Sequence, residues 1–190
     1  DNTVLLFSSD NGPSTEARNW LDGTEDLYYG GSAGIFRGHK GSLFEGGIRE
    51  PCILTCPARI PAGRVCHEPC AMVDVLPTFL ALAGAEPPAD RVIDGRDVLP
   101  VAAGAAPSPH RQLFWAYGDQ LACRQGPWKL VLNGKLDFGR KGPDPVHLSN
   151  LADDPGERVN LRAERPDLVE QMTRDARAWL ADVNAERGLA

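Results

Sequence analysis

The sequence predicts an α/β chain: the end of a layered sheet domain over residues 1–106, then a small antiparallel β-sheet subdomain with a packing C-terminal helix over 107–190. Three observations predict it. Thr3 to Ser8 carries an unbroken apolar run. Short strand-like segments separated by turn residues begin at Leu113. A long segment from Pro166 repeats apolar residues at helical spacing.

The first run is continuous rather than alternating, as expected of a central strand in a parallel sheet covered on both faces. Residues 12–50 are rich in glycine, have no clear period and read as a long functional loop. Cys52–Cys56 reads as a second short strand ended by Pro57, and Pro61-Ala62-Gly63 marks a turn. Val73–Ala83 reads as a helix with Asp74 as N-cap, Pro77 in its first turn and Gly84 as its stop. Val73, Leu76, Phe79, Leu80 and Ala83 would form its buried face. Residues 84–110, rich in proline, alanine and glycine, read as a connector.

Leu113–Tyr117, Leu121–Arg124, Trp128–Leu132 and Val146–Leu148 are β-like. Asn133-Gly134 is a two-residue hairpin signal before Lys135–Phe138, and Asp154-Pro155-Gly156 is a turn without calcium-loop spacing. From Pro166 to about Val183, Leu168, Met172, Ala176, Trp179, Leu180 and Val183 make one stripe, which is a packing face.

The 190 residues carry 42% hydrophobic and 24% charged residues, ordinary for a globular chain with a core. The net charge of -6, with no dense basic run, argues against nucleic acid as a partner. No apolar run reaches the ~18 residues of a membrane span. Five cysteines lie at 52, 56, 66, 70 and 123. Cys66 and Cys70 flank His67, but no second Cys/His pair follows at zinc-site spacing, so buried thiols or one disulfide are the plainer readings.

The chemistry concentrates in two segments. Asp10 and Asn11 lie just past the carboxyl end of the first strand, the edge where open α/β sheets bind ligands. A charged and a neutral oxygen together suit Ca²⁺ or Mg²⁺; Asp-Asn-Gly is also turn chemistry, but no second strand follows at once. Downstream, Gly38 and Gly41 frame His39 and Lys40, with Gly46 and Gly47 beyond. Glycines let a backbone approach a small ligand, and a lysine there offers a compact positive charge to a tetrahedral oxyanion. Taken alone, such a lysine is far more often a solvated surface residue. His39 is a hydrogen-bond donor to substrate or a supporting residue, and Glu45 and Arg49 would brace the loop as an ion pair.

Together, Ser9-Asp10-Asn11-Gly12-Pro13 and Gly38-His39-Lys40-Gly41-Ser42-Leu43-Phe44-Glu45-Gly46-Gly47-Ile48-Arg49 resemble the later signature pair of the sulfatases, within the alkaline-phosphatase-like hydrolases. The likeness continues through Pro57–Gly63, Val73–Thr78, Asp94-Gly95-Arg96, Trp128-Lys129-Leu130, Asp154–Glu157 and Asn160-Leu161, in family order. It implies a sulfatase-type α/β/α sheet domain. It implies that Asp10 and Asn11 ligate a divalent cation, usually Ca²⁺ with Mg²⁺ as an alternative, and that Lys40 contacts the sulfate as a catalytic residue with His39 beside it.

Glu50 departs from the resemblance, standing where the family usually has an apolar residue. The nucleophile departs too: the family oxidises a cysteine or serine in C-x-P-x-R or S-x-P-x-R to formylglycine, and Cys56-Pro57-Ala58-Arg59 has the wrong spacing and position. The chain is therefore expected to be the later portion of a sulfuric ester hydrolase. Its formylglycine and other ligands would lie upstream, and its missing N-terminal part would act as partner. The implied substrate is a sulfated small molecule or glycan, and the implied location is periplasmic or extracellular. Arg18, Trp20, Tyr28, Tyr29 and Arg37 in the 12–37 loop either grip a sugar or pack. Alternative readings are a phosphoesterase or phosphonate hydrolase of the same group, and a non-catalytic binding piece.

Overall fold

The computed structural model describes residues 2–15, 30–137 and 140–186, and is an α/β structure. Arg18, Trp20, Tyr28, Tyr29 and Phe138 lie outside the described residues. The chain forms two compact units, 1–8 with 52–113 and 9–51 with 114–190.

In the first unit, β1 (Leu5–Ser8) pairs antiparallel with β2 (Cys52–Thr55), Leu5 opposite Thr55 and Ser8 opposite Cys52. The expected parallel, doubly covered strand is corrected here. Leu5, Phe7 and Ile53 are 55%, 64% and 59% exposed. An unbroken apolar run fixes neither the direction of the neighbouring strand nor the covering of both faces within this chain.

A 3₁₀ turn (Met72–Asp74) leads into α2 (Val75–Ala83), which Gly84 ends at φ 66°. Asp74 does not cap the helix with its side chain. Its carboxylate instead accepts Ala71 N–H and Arg96 N–H, each at 2.8 Å, and pairs with His110 Nε2 at 2.8 Å. The expected buried face of the helix is also corrected: Pro77 and Thr78 are buried, while Val73 and Leu76 are each 51% exposed. Met72, Val73, Leu76, Phe79, Val92 and Ile93 line an open groove of about 610 Å³. The presumed connector contains α3 (Leu99–Ala103). Asp97 Oδ1 accepts Leu99 N–H at 2.9 Å at its start, and Gly104 at φ 77° stops it.

The second unit holds a four-stranded sheet in sequential order, β3 (Leu113–Tyr117), β4 (Gln120–Gln125), β5 (Trp128–Leu132) and β6 (Val146–Asn150). The β4–β5 and β5–β6 pairs are antiparallel. Asn133-Gly134 does not close a hairpin. Asn133 N–H bonds Pro145 C=O at 2.8 Å, and Lys135 makes a single bridge to Lys141. Gly134 is there for space, since a Cβ would lie 2.7 Å from the Phe44 ring.

Helix α4 (Pro166–Glu186) lays the expected stripe on one face of the sheet. Leu168, Met172 and Ala176 are buried against Leu121, Cys123, Leu130 and Leu148. Trp179 stacks on Phe114 with centroids 5.4 Å apart. Ala122 and Val131, on the alternate positions, pack instead with Leu43 and Phe44. Strand alternation therefore gives the sheet two apolar faces, and the second one carries the segment that follows Lys40.

Candidate active site

The candidate site belongs to the second unit and is built from the 9–13 loop and the 37–49 segment. Ser9 Oγ donates to Asn11 C=O at 2.9 Å, and Asn11 Nδ2 donates to Gly12 C=O at 3.0 Å. The Asn11 amide nitrogen is thus spent on its own loop, so the carbonyl oxygen is the atom that can serve a cation. Asp10 is exposed.

Gly38 and Gly41 adopt φ 85° and 87°, the left-handed region that a side chain disfavours. Between them, His39 N–H bonds Leu136 C=O at 2.9 Å and Lys40 N–H bonds Pro13 C=O at 3.0 Å. Gly12 N–H bonds Gly47 C=O at 3.2 Å. The backbones that carry Asp10-Asn11 and His39-Lys40 are therefore directly joined. His39 and Lys40 are both half-buried, and the buried His39 Nδ1 has no hydrogen-bond partner among the described residues.

The glycines of α1 (Glu45–Ile48) make the junction tight. A Cβ on Gly46 would strike the Gly38 and Arg37 carbonyl oxygens, and one on Gly47 would strike those of Ser42 and His39. The small sheet holds the segment from behind. Gln120, 1% exposed, donates to Gly41 C=O at 2.8 Å and accepts Lys135 N–H at 2.8 Å. Ser42 Oγ donates to Lys135 C=O at 2.6 Å.

Glu45 and Arg49 form the expected ion pair at 3.5 Å, but within a larger buried network. Lys129 Nζ, fully buried, donates to Glu45 Oε1 at 2.7 Å and lies 3.6 Å from Glu157 Oε1. Glu157 Oε2 accepts Glu45 N–H at 2.6 Å. Arg37 Nη1 donates to Glu157 C=O at 2.8 Å and its guanidinium sits over the Phe44 ring. Burial opposes ionisation of Glu45, but Lys129, Arg124 and Arg49 outweigh it and hold its carboxyl below the usual range. Burial pushes the Glu157 carboxyl up despite Lys129. Burial, aided by Arg37, lowers His147 to about 4.

Glu157 and Gln120 do not stand out in the sequence. A lone charged or amide residue carries no local sign of burial; the sole hint was Glu157 closing the Asp154-Pro155-Gly156-Glu157 match. Glu50 is half-buried, and burial together with the Asp10 charge raises its carboxyl, with Ser9 opposing. The five cysteines are free thiols.

Asp10 and Asn11 suit a hard divalent cation by donor chemistry: a carboxylate and an amide oxygen, with no thiol beside them. Among the described residues no three His, Cys, Asp or Glu side chains gather as a metal cluster. No described helix is long and apolar enough to cross a membrane.

Comparison with known proteins accords with this geometry. The Sulfatase family profile matches residues 1–85. The chain is 47% identical over 187 residues to steryl-sulfatase of Mus musculus, covering 85% of this chain and 29% of that protein. It is 35% identical over 179 residues to arylsulfatase A of Bos taurus, covering 84% and 33%. The crystal structure of Ps i-CgsB superposes with a TM-score of 0.74 at 27% identity, covering 94% of this chain and 36% of that one. The chain thus spans about a third of the length of these relatives. By sequence and by fold, the chain belongs to the sulfatase family.

Proposed function

We propose that this chain carries the later part of a sulfuric ester hydrolase active site. The observation that supports it most is the direct backbone pairing of the Asp10-Asn11 loop with the His39-Lys40 segment, through Gly12 to Gly47 and Lys40 to Pro13. Asp10 and Asn11 would hold Ca²⁺, or Mg²⁺ in its place, and that ion would polarise the sulfuryl oxygens. Lys40 contributes a fixed positive charge toward the anionic ester and the oxygen on which charge develops. His39 contributes a hydrogen bond at the same end of the loop.

The nucleophile is expected as formylglycine in a segment preceding this one, with the remaining cation ligands. Two observations support completion by further chain: the relatives are about three times as long, and the first unit leaves Leu5, Phe7, Ile53 and Leu76 at least half exposed. The substrate class is a sulfate ester of a sugar or an aryl alcohol.

Assay of the complete enzyme on 4-nitrophenyl sulfate and 4-nitrophenyl phosphate tests this reading. Sulfate turnover should dominate, and Lys40→Ala should lower kcat by about 10²-fold. Preferential phosphate turnover would transfer the assignment to a phosphoesterase. The 190-residue chain alone should turn over neither ester, and hydrolysis by it would refute the need for another segment.

A further inference from the structure

We propose that Glu157, together with Lys129, is a positioning unit for the candidate active site, holding α1 so that the His39-Lys40 segment and the Asp10-Asn11 loop stay in register. The inference rests on the reading of those two segments as the site. Glu157 and Lys129 lie far along the sequence from both segments, yet each is fully buried. Glu157 holds α1 at Glu45 and, separately, the Arg37 side chain just before Gly38. Its carboxylate accepts Glu45 N–H at 2.6 Å, and its carbonyl accepts Arg37 Nη1–H at 2.8 Å. Lys129 grips the Glu45 side chain at 2.7 Å from β5, one of the two central strands of the sheet.

From α1 the constraint passes by backbone contact alone. Gly46 N–H bonds Arg37 C=O at 2.7 Å, one residue before Gly38. Gly47 C=O receives Gly12 N–H at 3.2 Å, one residue after Asn11. Neither glycine has room for a Cβ, so α1 has no slack against either segment. A shift of Glu45 must therefore move both. Two carboxylates share one fully buried ammonium, an arrangement costly for stability alone but effective in fixing a geometry.

Amide hydrogen exchange on the chain itself tests this independently of catalysis. Glu157→Ala should raise exchange at the Gly12 and Lys40 amides by about tenfold or more, while the Met172 and Ala176 amides in α4 change by less than about twofold. Glu157→Gln, which retains an acceptor for Glu45 N–H, should keep most of the protection. If the alanine variant does not fold, Glu157→Asp serves, since it keeps the charge but is one methylene short of the Glu45 amide. A uniform rise across the unit, or unchanged Gly12 and Lys40 amides in a folded variant, overturns the proposal. In the complete enzyme with 4-nitrophenyl sulfate, Glu157→Asp should lower kcat and add no further loss to Lys40→Ala; additive losses overturn it. An inert Lys40→Ala would overturn the function proposed for Lys40, whereas the exchange result judges the positioning role separately.

Discussion

Gly12 N–H donates to Gly47 C=O across 3.2 Å, and the two backbones pack so closely that a Cβ on Gly12 would lie 2.8 Å from Gly47 Cα. Gly12 is needed for that approach rather than for a left-handed φ, since a Cβ would also strike the Gly46 carbonyl oxygen. Gly12→Ala should therefore separate the loop from α1. The expected loss is about 1–3 kcal/mol of stability, read from the urea midpoint, with a larger fractional loss of turnover in the complete enzyme. Unchanged stability would mean that the two segments accommodate a methyl group, and that their register is loose.

The pairing of Lys129 with Glu45 yields a second expectation. Lys129→Met removes the fully buried ammonium that pairs with both carboxylates and leaves Glu45 and Glu157 facing each other. Breaking a buried pair from one side costs about 3–5 kcal/mol. Adding Glu45→Gln and Glu157→Gln removes the stranded charges and should restore a large part of that loss. Equilibrium denaturation of the single and triple variants measures both, and a triple variant no more stable than Lys129→Met would contradict the electrostatic account.

The extent to which the sequence disclosed this architecture follows from what each signal encodes. Leu168, Met172 and Ala176 announce α4 because a helical stripe maps directly onto one packing face. Asp10, Asn11, His39 and Lys40 stand out in the sequence as polar residues beside Gly12, Gly38 and Gly41, and Gly38 and Gly41 adopt left-handed φ values. The continuous run in β1 gives no strand direction, so the antiparallel partner β2 was not foreseen. Asn133-Gly134 misleads because Gly134 is selected by its contact with Phe44, a residue ninety positions away. Long-range packing of that kind leaves no local mark, which also hides Glu157 and Gln120.

In the first unit, Asp74 binds three donors at 2.8 Å: the Ala71 and Arg96 amides and His110 Nε2. Asp74 is 1% exposed, so removing its carboxylate leaves two partly buried N–H groups and the imidazole without their acceptor. Asp74→Ala should cost about 2–4 kcal/mol, and Asp74→Asn less, because an amide oxygen still accepts one amide. His110→Ala should cost less than Asp74→Ala, since both backbone donors keep their acceptor. Thermal unfolding of the three variants checks the order, and an Asp74→Ala variant as stable as His110→Ala would remove the carboxylate from the centre of this knot.

His147 supplies a pH dependence with a definite sign. It is 2% exposed and lies beside Arg37, with Nδ1 3.4 Å from Nη1 and its ring edge-on to Phe44 at 5.4 Å. Burial first, then the Arg37 charge, lowers its pKa from 6.5 to about 4, while Asp144 and Asp154 pull the other way. Between these values the unfolded chain binds a proton that the folded chain refuses, so stability rises with pH across that window. The contribution is complete above pH 6.5 and is lost as pH falls toward 4, amounting to on the order of 3 kcal/mol. Glu157 has the opposite sense, since its raised carboxyl favours the folded state at low pH, so His147 must be isolated by difference. His147→Gln should lose stability relative to the parent at pH 7 and approach it at pH 4.5, as read from urea midpoints at the two pH values. A gap that stays constant between them would mean that the imidazole titrates normally, and that Arg37 does not exclude its proton.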